Sequence, residues 1–143
     1  MRLMNVKGYT TPRSFSGFQI PIPLQSLSIR RYCEDHNYRF NHHVVENISP
    51  NTFFVLERVM QETHLYQAIA MCSLGMLPKD ASYRHALLEQ CTRAGVSVHF
   101  IFEQLVVNSP NDVEGLDELL SLTILAPSDV EQMRHIFNLI KRQ

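Results

Sequence analysis

The loop predicted after the first apolar run holds side chains that could act on a phosphoryl or acyl group. Arg13 is followed directly by Ser14, and Ser16 stands two positions further on. A serine hydroxyl beside a guanidinium can act as a nucleophile, because the cation stabilises both an incoming oxyanion and the serine alkoxide. A solvated polar loop would have the same composition. We take Ser14 and Ser16 as candidate nucleophiles and Arg13 as a candidate anion-binding residue.

Two carboxylates are candidates for a general base. Glu46 and Glu103 each follow a short apolar run, at the place where a strand should end. A carboxylate in that position can take the proton of a reacting hydroxyl. It could instead form an ion pair with Arg13 or Arg84. We choose Glu103 as the candidate catalytic base.

A zinc site is the alternative use of the histidines. Cys33-x-x-His36, with His42 and His43, provides thiolate and imidazole, which are the ligands that zinc prefers. His42 and His43 are adjacent on a predicted strand, however, and adjacent strand side chains point to opposite faces. We therefore predict no metal site. His99 lies within an apolar run and is predicted to be a core histidine.

The sequence carries no signature of a nucleotide cofactor. Neither a G-x-G-x-x-G run nor a P-loop is present, and such glycine-rich turns usually hold a phosphate at a helix N-terminus. We predict no cofactor. A smaller anion could still be held by Arg13, Lys79 and Arg84.

Length and composition predict one ordinary globular domain. The 143 residues are 45% hydrophobic and 19% charged, which is typical of a chain with a packed core. Thirteen basic and fourteen acidic side chains give a net charge of −1, so the basic footprint of a nucleic-acid-binding domain is missing. We therefore predict no nucleic-acid partner.

The location of the protein is predicted from its apolar runs and its cysteines. The runs fall far short of the roughly 20 residues of a membrane span, and the first residues lack the apolar region of a secretory signal. Cys33, Cys72 and Cys91 show no C-x-x-C spacing, which favours buried free thiols in a reducing compartment. We predict a cytoplasmic protein without a membrane partner.

Four short apolar runs alternate with helical patterns, which predicts right-handed crossovers and a parallel sheet. Ser49 followed by Pro50 predicts the start of the second helix. The predicted strands are residues 3–9, 39–46, 68–72 and 96–102, and the predicted helices are 24–36, 49–64, 80–94 and two within 112–141. We expect the strand order 2-1-3-4 in a single domain, residues 1–143, whose parallel α/β core spans 1–105.

Ligands of such sheets bind beyond the carboxyl ends of the strands, near the place where the strand order reverses. That rule selects the loops at residues 10–19, 46–51 and 73–78, and the segment from Glu103 onward. We therefore expect Arg13, Ser73 and Glu103 to lie on a common rim.

Two runs that the fold does not require, P-x-P-L-Q at residues 21–25 and S-x-x-M-L-P at 73–78, resemble the sporadic carbohydrate cluster proteins of bacteria. The resemblance covers roughly residues 6–105, and further matches are Gly8-Tyr9, Arg13, Phe15, Asn51, Leu56-Glu57, Arg84 and Glu103. That family is associated with gene clusters for surface polysaccharides. The resemblance therefore implies a pathway and leaves the reaction open.

Tyr9, Arg13 and Ser14 also resemble the opening of the catalytic domain of serine recombinases, which has a tyrosine, an arginine and a nucleophilic serine after its first strand. Gln25 lies where that family has a glutamine at the start of the next helix. This resemblance implies a flavodoxin-like or resolvase-like three-layer fold. After the third strand the family has an L-D-R-L-x-R run, whereas this chain has no arginine until Arg84. Without those arginines a phosphoryl transition state loses charge stabilisation, so we expect the scaffold without recombinase activity.

The resulting hypothesis is a cytoplasmic protein of surface-carbohydrate biosynthesis, with an activated or phosphorylated sugar as its ligand; whether it is an enzyme is left open. The candidate catalytic residues are Ser14, Ser16 and Glu103, and the candidate substrate-binding residues are Tyr9, Arg13, Gln25, Asn51, Ser73 and Arg84. Two alternatives remain. One is a non-catalytic interaction module whose C-terminal helices bind a partner or a second copy of the chain, and the other is a degenerate serine-recombinase-like domain.

Overall fold

Five strands and four α-helices alternate in the computed structural model, which describes residues 3–122. The elements are β1 (Asn5–Thr10), α1 (Ile22–Asp35), β2 (Arg39–Val45), α2 (Phe54–Gln61), β3 (Ala68–Met71), a 3-10 turn (Leu74–Met76), α3 (Ala81–Arg93), β4 (Ser97–Phe100), β5 (Leu105–Val107) and α4 (Pro110–Leu122). The alternation predicted from the apolar runs is confirmed as far as the fourth strand.

The strands form one sheet of order β2-β1-β3-β4-β5. The first four are parallel and in the predicted order, but β5 is antiparallel to β4, so the prediction of a purely parallel, four-stranded sheet is wrong. The chain reverses between Phe100 and Leu105, and Gln104 adopts a positive φ of 55° there. Residues 101–104 contain no glycine, proline, asparagine or aspartate, so the usual sequence signals of a tight turn are missing.

The helices cover both faces of the sheet, which gives the predicted three layers. On one face, Ile29 and Cys33 of α1 pack against Ala68 and Ala70 of β3, and these small side chains let the helix lie close to the sheet. On the other face, α2, α3 and α4 cover a larger core that includes Leu56, Ile69, Met71, Leu88, Phe100, Leu116 and Leu119. Successive side chains of β3 therefore point to opposite layers.

Helix α4 is part of this core. Leu116 and Leu119 are fully buried, and the helix packs against α3 and β5. The second predicted C-terminal helix lies outside the described residues, as does the end of the predicted single domain. Within residues 3–122, no helix is both long and apolar enough to span a membrane.

Helix α2 begins at Phe54, so the start predicted at Ser49 is wrong. The reason is Glu46, which is buried directly after β2. Its carboxylate accepts the N–H groups of Val55 at 3.2 Å and Leu56 at 3.0 Å. A negative group from the preceding strand thus satisfies first-turn donors that a local serine would otherwise cap.

His99 is a core histidine, as predicted. It is only 3% exposed; its Nδ1 is 2.6 Å from the Tyr32 hydroxyl and its Nε2 is 2.8 Å from the Ser97 hydroxyl. Burial, aided by His36, lowers the pKa of His99 to about 4. The ring is therefore neutral near pH 7 and serves packing rather than proton transfer.

We expect His99 to make the protein less stable in mild acid. An unfolded chain protonates this ring below its ordinary pKa of 6.5, whereas the folded protein resists protonation down to about 4. Stability is therefore fully present above pH 6.5 and is lost as the pH falls towards 4, by about 3 kcal/mol. Urea denaturation across this range should show the loss, and His99→Gln should flatten it. If the free energy of unfolding of His99→Gln fell with pH as steeply as that of the wild type, this assignment would be contradicted.

Candidate functional site

A cleft of about 280 Å³ opens beyond the carboxyl ends of β1, β2 and β3. The strand order reverses between β1 and β3, which is where open α/β sheets bind ligands. The lining residues are Thr11, Arg13, Ser14, Phe15, Ile48, Pro50, Asn51, Phe53, Gly75, Met76, Leu77 and Lys79. Three of the four segments selected from the sequence therefore line the cleft, whereas Ser73 and Glu103, which were expected on the same rim as Arg13, do not.

A tight hairpin carries Ser16 to the edge of this cleft. The backbone groups of Phe15 and Phe18 exchange two hydrogen bonds, of 2.8 and 2.9 Å. Ser16 and Gly17, between them, have positive φ angles of 53° and 80°, as in the two-residue turns that suit the twist of a hairpin. Phe15 is buried and Ser16 is exposed, so the hairpin is anchored by its first residue.

Gln25 clamps the loop that carries this hairpin. Its buried side-chain amide donates to the carbonyls of Thr11 at 2.7 Å and Ile20 at 2.8 Å, and its Oε1 accepts the Thr11 N–H at 3.1 Å. Gln25 is fully buried and does not line the cleft. Gln25 is therefore a positioning residue. The sequence predicted that it binds substrate, but from this position it could influence a substrate only through the loop that it holds.

Ser16, Ser73 and Glu103 form one chain of hydrogen bonds. The Ser73 hydroxyl donates to Glu103 Oε2 at 2.7 Å, and Ser73 Oγ is 3.2 Å from Ser16 Oγ. Glu103 Oε1 accepts the N–H of Leu74 at 3.0 Å. Burial raises the pKa of the Glu103 carboxyl, while the bonds from Ser73 and Leu74 oppose that rise. Three of the predicted site residues are thus brought together.

Gly75 allows the two loops to touch. A Cβ at this position would lie 2.1 Å from Ser16 Oγ and 3.0 Å from the Ser16 nitrogen. The first distance is impossible for a methyl group and the second is tight, so a side chain there would require Ser16 to move. Gly75 also donates its N–H to Ser73 Oγ at 3.1 Å, which fixes the 3-10 turn against the same hydroxyl.

Arg13 is held in one position on the wall of the cleft. Its Nη1 donates to the carbonyls of Ser49 at 2.8 Å and Thr52 at 2.9 Å, and its guanidinium lies 4.6 Å from the centre of the Phe53 ring. These bonds use two of its five N–H donors. Arg13 therefore organises the β2–α2 loop as well as presenting a positive charge, and the neighbouring Ser14 is exposed in the cleft.

Tyr9 and Glu46 support that loop from below. The buried Tyr9 hydroxyl donates to Glu46 Oε1 at 2.8 Å, and burial and the nearby carboxylate raise the pKa of Tyr9 far above its ordinary value. Neither residue lines the cleft. Tyr9 was predicted to bind substrate and Glu46 was considered as a base, but the structure places both beneath the β2–α2 loop.

The two remaining predicted residues, Asn51 and Arg84, occupy different places. Asn51 lines the cleft and has a φ of 58° in an exposed turn. Arg84 is 8% exposed and lies outside the cleft, where it bonds the carbonyl of Pro78 at 3.3 Å and Asp117 of α4 at 3.5 Å. It secures the start of α3 and so helps to place Lys79, whose carbonyl it also contacts.

No protein-family model matches this chain, and no curated protein matches it. Among solved structures, the N-terminal catalytic domain of TP901-1 integrase is similar. The TM-score is 0.60 at 13% sequence identity, over 96% of this chain and 96% of that one. The chain has a resolvase-like fold. At this identity the similarity shows the fold alone, so the predicted scaffold is confirmed and the resemblance to carbohydrate cluster proteins stays a prediction.

The resolvase-like scaffold departs from the recombinase pattern after β3. Residues 73–83 contain no arginine, and their loop is instead fixed by Glu103 and Gly75. The guanidinium that follows, Arg84, bonds to Asp117 rather than lining the cleft. The arginines that recombinases have after the third strand therefore have no counterpart among the residues that line this cleft, where Arg13 is the arginine present.

Nine of the twelve residues that line the cleft were not chosen as site residues from the sequence, and Phe53, Gly75 and Lys79 are three of these. Phe53 fits the apolar pattern of α2, Gly75 fits an ordinary loop, and Lys79 precedes Asp80, which caps α3 as predicted by accepting the Tyr83 N–H at 3.0 Å. Only Lys79 carried a signal, since its charge made it a candidate for anions. The roles of Phe53 and Gly75 depend on contacts with Arg13 and Ser16.

The cysteines and histidines of the resolvase-like domain supply no second site among residues 3–122. No group of three or more histidine, cysteine, aspartate or glutamate side chains there could hold a metal ion. The three cysteines are free and buried, as predicted. Burial raises the pKa of Cys33 to about 11 and that of Cys72 to about 12, so both are neutral thiols near pH 7 and weak nucleophiles.

Gly75→Ala should lower the free energy of unfolding by about 1–3 kcal/mol, because the new methyl group forces the hairpin away from the 3-10 turn. Urea denaturation at pH 7 measures the change. The same substitution should cost less in a Ser16→Ala background, since the nearest clashing atom is Ser16 Oγ. Equal costs in the two backgrounds would show that this contact does not limit the position.

Proposed function

We propose that this protein binds a phosphorylated sugar in the cleft and acts on it in surface-carbohydrate biosynthesis. One observation carries the ligand class: Arg13 and Lys79 provide two positive charges on a cleft that also has apolar walls. The pathway rests on the resemblance of residues 21–25 and 73–78 to the sporadic carbohydrate cluster proteins. The resolvase-like fold supplies the position of the cleft and does not by itself select a reaction.

The charges favour a phosphate group. Arg13 is fixed by the carbonyls of Ser49 and Thr52 and by the Phe53 ring, so it loses little side-chain entropy when an anion binds. Lys79 is exposed and lies on the cleft directly before Asp80, which caps α3. A phosphate dianion placed between these cations would be paired with both.

The size and the walls of the cleft favour a single sugar. Its volume of about 280 Å³ is at the small end of ligand pockets, which span roughly 300–1,000 Å³, and a nucleotide sugar would not be enclosed. Phe53, Met76 and Leu77 offer apolar surface to the C–H face of a sugar ring. Ser14 and Asn51 can bond its hydroxyl groups. We therefore propose a sugar monophosphate rather than a nucleotide sugar.

Binding of a hexose 1-phosphate, measured by isothermal titration calorimetry, tests the ligand class. Lys79→Met should weaken binding about 5–10-fold, as expected for loss of one partly exposed charge pair. Arg30→Ala is the matched control, because Arg30 also lies over a ring, 5.6 Å from the centre of Phe40, but outside this cleft; its binding should be unchanged. The unphosphorylated hexose should not bind.

Two results would contradict this ligand. One is a wild-type protein that binds neither the hexose 1-phosphate nor inorganic phosphate. The other is a dissociation constant that is the same in Lys79→Met, Arg13→Gln and the wild type. Because Arg13 also holds the β2–α2 loop, thermal melting of Arg13→Gln must accompany its titration.

A degenerate recombinase-like domain that binds DNA is the second candidate, and the resolvase-like fold favours it. The net charge of −1 and the missing arginines at residues 73–83 oppose it. We expect no band shift with duplex DNA in gel retardation at physiological salt. A shift that Arg13→Gln abolishes would favour this candidate over the sugar phosphate.

An oligomeric interaction module is supported less by the structure than by the sequence pattern of the C-terminal helices. Leu116 and Leu119 of α4 are buried within the domain, so this helix offers a partner less apolar surface than its sequence pattern predicts. The second predicted helix lies outside the described residues. Association through the C-terminal helices and a cytoplasmic location both stay predictions.

A further inference from the structure

The hydrogen bonds that join Ser16, Ser73 and Glu103 run in one direction. Ser73 has a single O–H, and it donates to Glu103 Oε2 at 2.7 Å. The oxygen of Ser73 must therefore accept the bond from Ser16, whose Oγ is 3.2 Å away. A hydroxyl that donates to a second hydroxyl, which donates to a carboxylate, is a path along which a proton can leave the first oxygen.

Burial increases along this path. Ser16 is exposed, whereas Ser73 is 1% and Glu103 is 5% exposed. Ser16 Oγ also lies against Gly75, which forms part of the cleft wall. The base is thus kept away from water, and electrostatic interactions are stronger in such a buried place. Ser16, at the other end of the path, is an exposed residue next to the cleft wall at Gly75.

The backbone of Ser16 adopts a conformation that serine rarely takes. Its φ of 53° lies in the left-handed region, which asparagine, aspartate and glycine tolerate better. Strained non-glycine residues that the surrounding structure holds in place are concentrated at functional sites. Here the strain fixes the position of a hydroxyl group that a glycine in the same turn would not provide.

From these observations we propose that Ser16 is the nucleophile of this site and that Ser73 and Glu103 carry its proton away. The substrate class, a phosphate ester, rests on the proposed function, but the reactivity of Ser16 does not. Ser14, which the resemblance to recombinases marks as the nucleophile, is exposed in the cleft. Within residues 3–122, its hydroxyl makes no hydrogen bond to a carboxylate or an imidazole, so no base is in place to activate it.

The step balances without a cofactor. Ser16 Oγ attacks phosphorus and forms an O–P bond while the P–O bond to the leaving alcohol breaks. The proton of Ser16 passes to Ser73 Oγ as the proton of Ser73 passes to the Glu103 carboxylate. The leaving oxygen takes a proton from solvent, and Glu103 later releases to solvent the proton that it gained. Arg13 and Lys79 stabilise the charge on the phosphoryl oxygens.

Labelling with a fluorophosphonate tests the reactivity of Ser16 without knowledge of the sugar. The Ser16 O–P bond would form as the P–F bond breaks, and fluoride would leave as the anion. Tryptic peptide 14–30 contains Ser14, Ser16, Ser26 and Ser28, so tandem mass spectrometry identifies the labelled residue. We expect one label, on Ser16.

Three variants distinguish the nucleophile, the proton path and a serine that takes no part in the reaction. Ser16→Ala, in an exposed turn, should reduce labelling at least about 100-fold, and Glu103→Gln should slow it about 10–100-fold. Ser28→Ala, in the same peptide but bonded only to the Leu24 carbonyl of α1, should label like the wild type. If Glu103→Gln unfolds, the wild-type pH profile replaces it: the labelling rate should rise as Glu103 loses its proton and then level off.

A label on Ser14, no label on the folded wild type, or a rate independent of both Glu103 and pH would overturn the proposal. Protection separates this result from the proposed function. If hexose 1-phosphate slows labelling of Ser16, both stand. If Ser16 is labelled but the sugar phosphate gives no protection, the nucleophile stands and the proposed substrate is wrong.

Discussion

The buried carboxylate of Glu103 holds together the parts of the structure on which the site depends. It follows β4, yet both of its oxygens bond to the loop that follows β3, at Ser73 and Leu74. Through Ser73 the same interaction reaches the hairpin at Ser16. Three chain segments that are far apart in sequence are therefore joined around one charge. Without it, the Ser73 hydroxyl would lose its carboxylate acceptor and the buried Leu74 N–H would lose its hydrogen bond, which is costly.

A second buried carboxylate, that of Glu46, likewise joins separate chain segments on the other side of the cleft. Glu46 follows β2 and bonds to Tyr9 of β1 and to the first turn of α2. Arg13 then ties the loop between Glu46 and α2 to the hairpin segment. Buried polar groups that are paired with the backbone thus build both walls of the cleft. The two cations of the cleft, Arg13 and Lys79, lie on these walls.

Local sequence patterns predicted the helices and strands. Long-range hydrogen bonds determine the features that those patterns did not predict. The strand order of β1 to β4, the Asp80 cap of α3 and the position of the site follow from periodicity, capping and topology. The start of α2 depends instead on Glu46, and the burial of Gln25 depends on carbonyls at both ends of its loop. Such partners are not adjacent in sequence, so no local pattern indicates them. The short strand β5 was not predicted, because the turn that precedes it, residues 101–104, has none of the usual turn residues.

The close packing of α1 on β3 has a consequence for how the cleft can work. Ile29 packs in one buried cluster with the small side chains of Ala68 and Ala70, and close packing of this kind resists movement of α1 against the sheet. The loop before α1 is therefore tied at one end to a stationary helix through Gln25 and at the other end to the central strand β1. A cleft supported in this way is preorganised. A ligand would then be selected by fit rather than by closure around it, and its association would not be slowed by a conformational change.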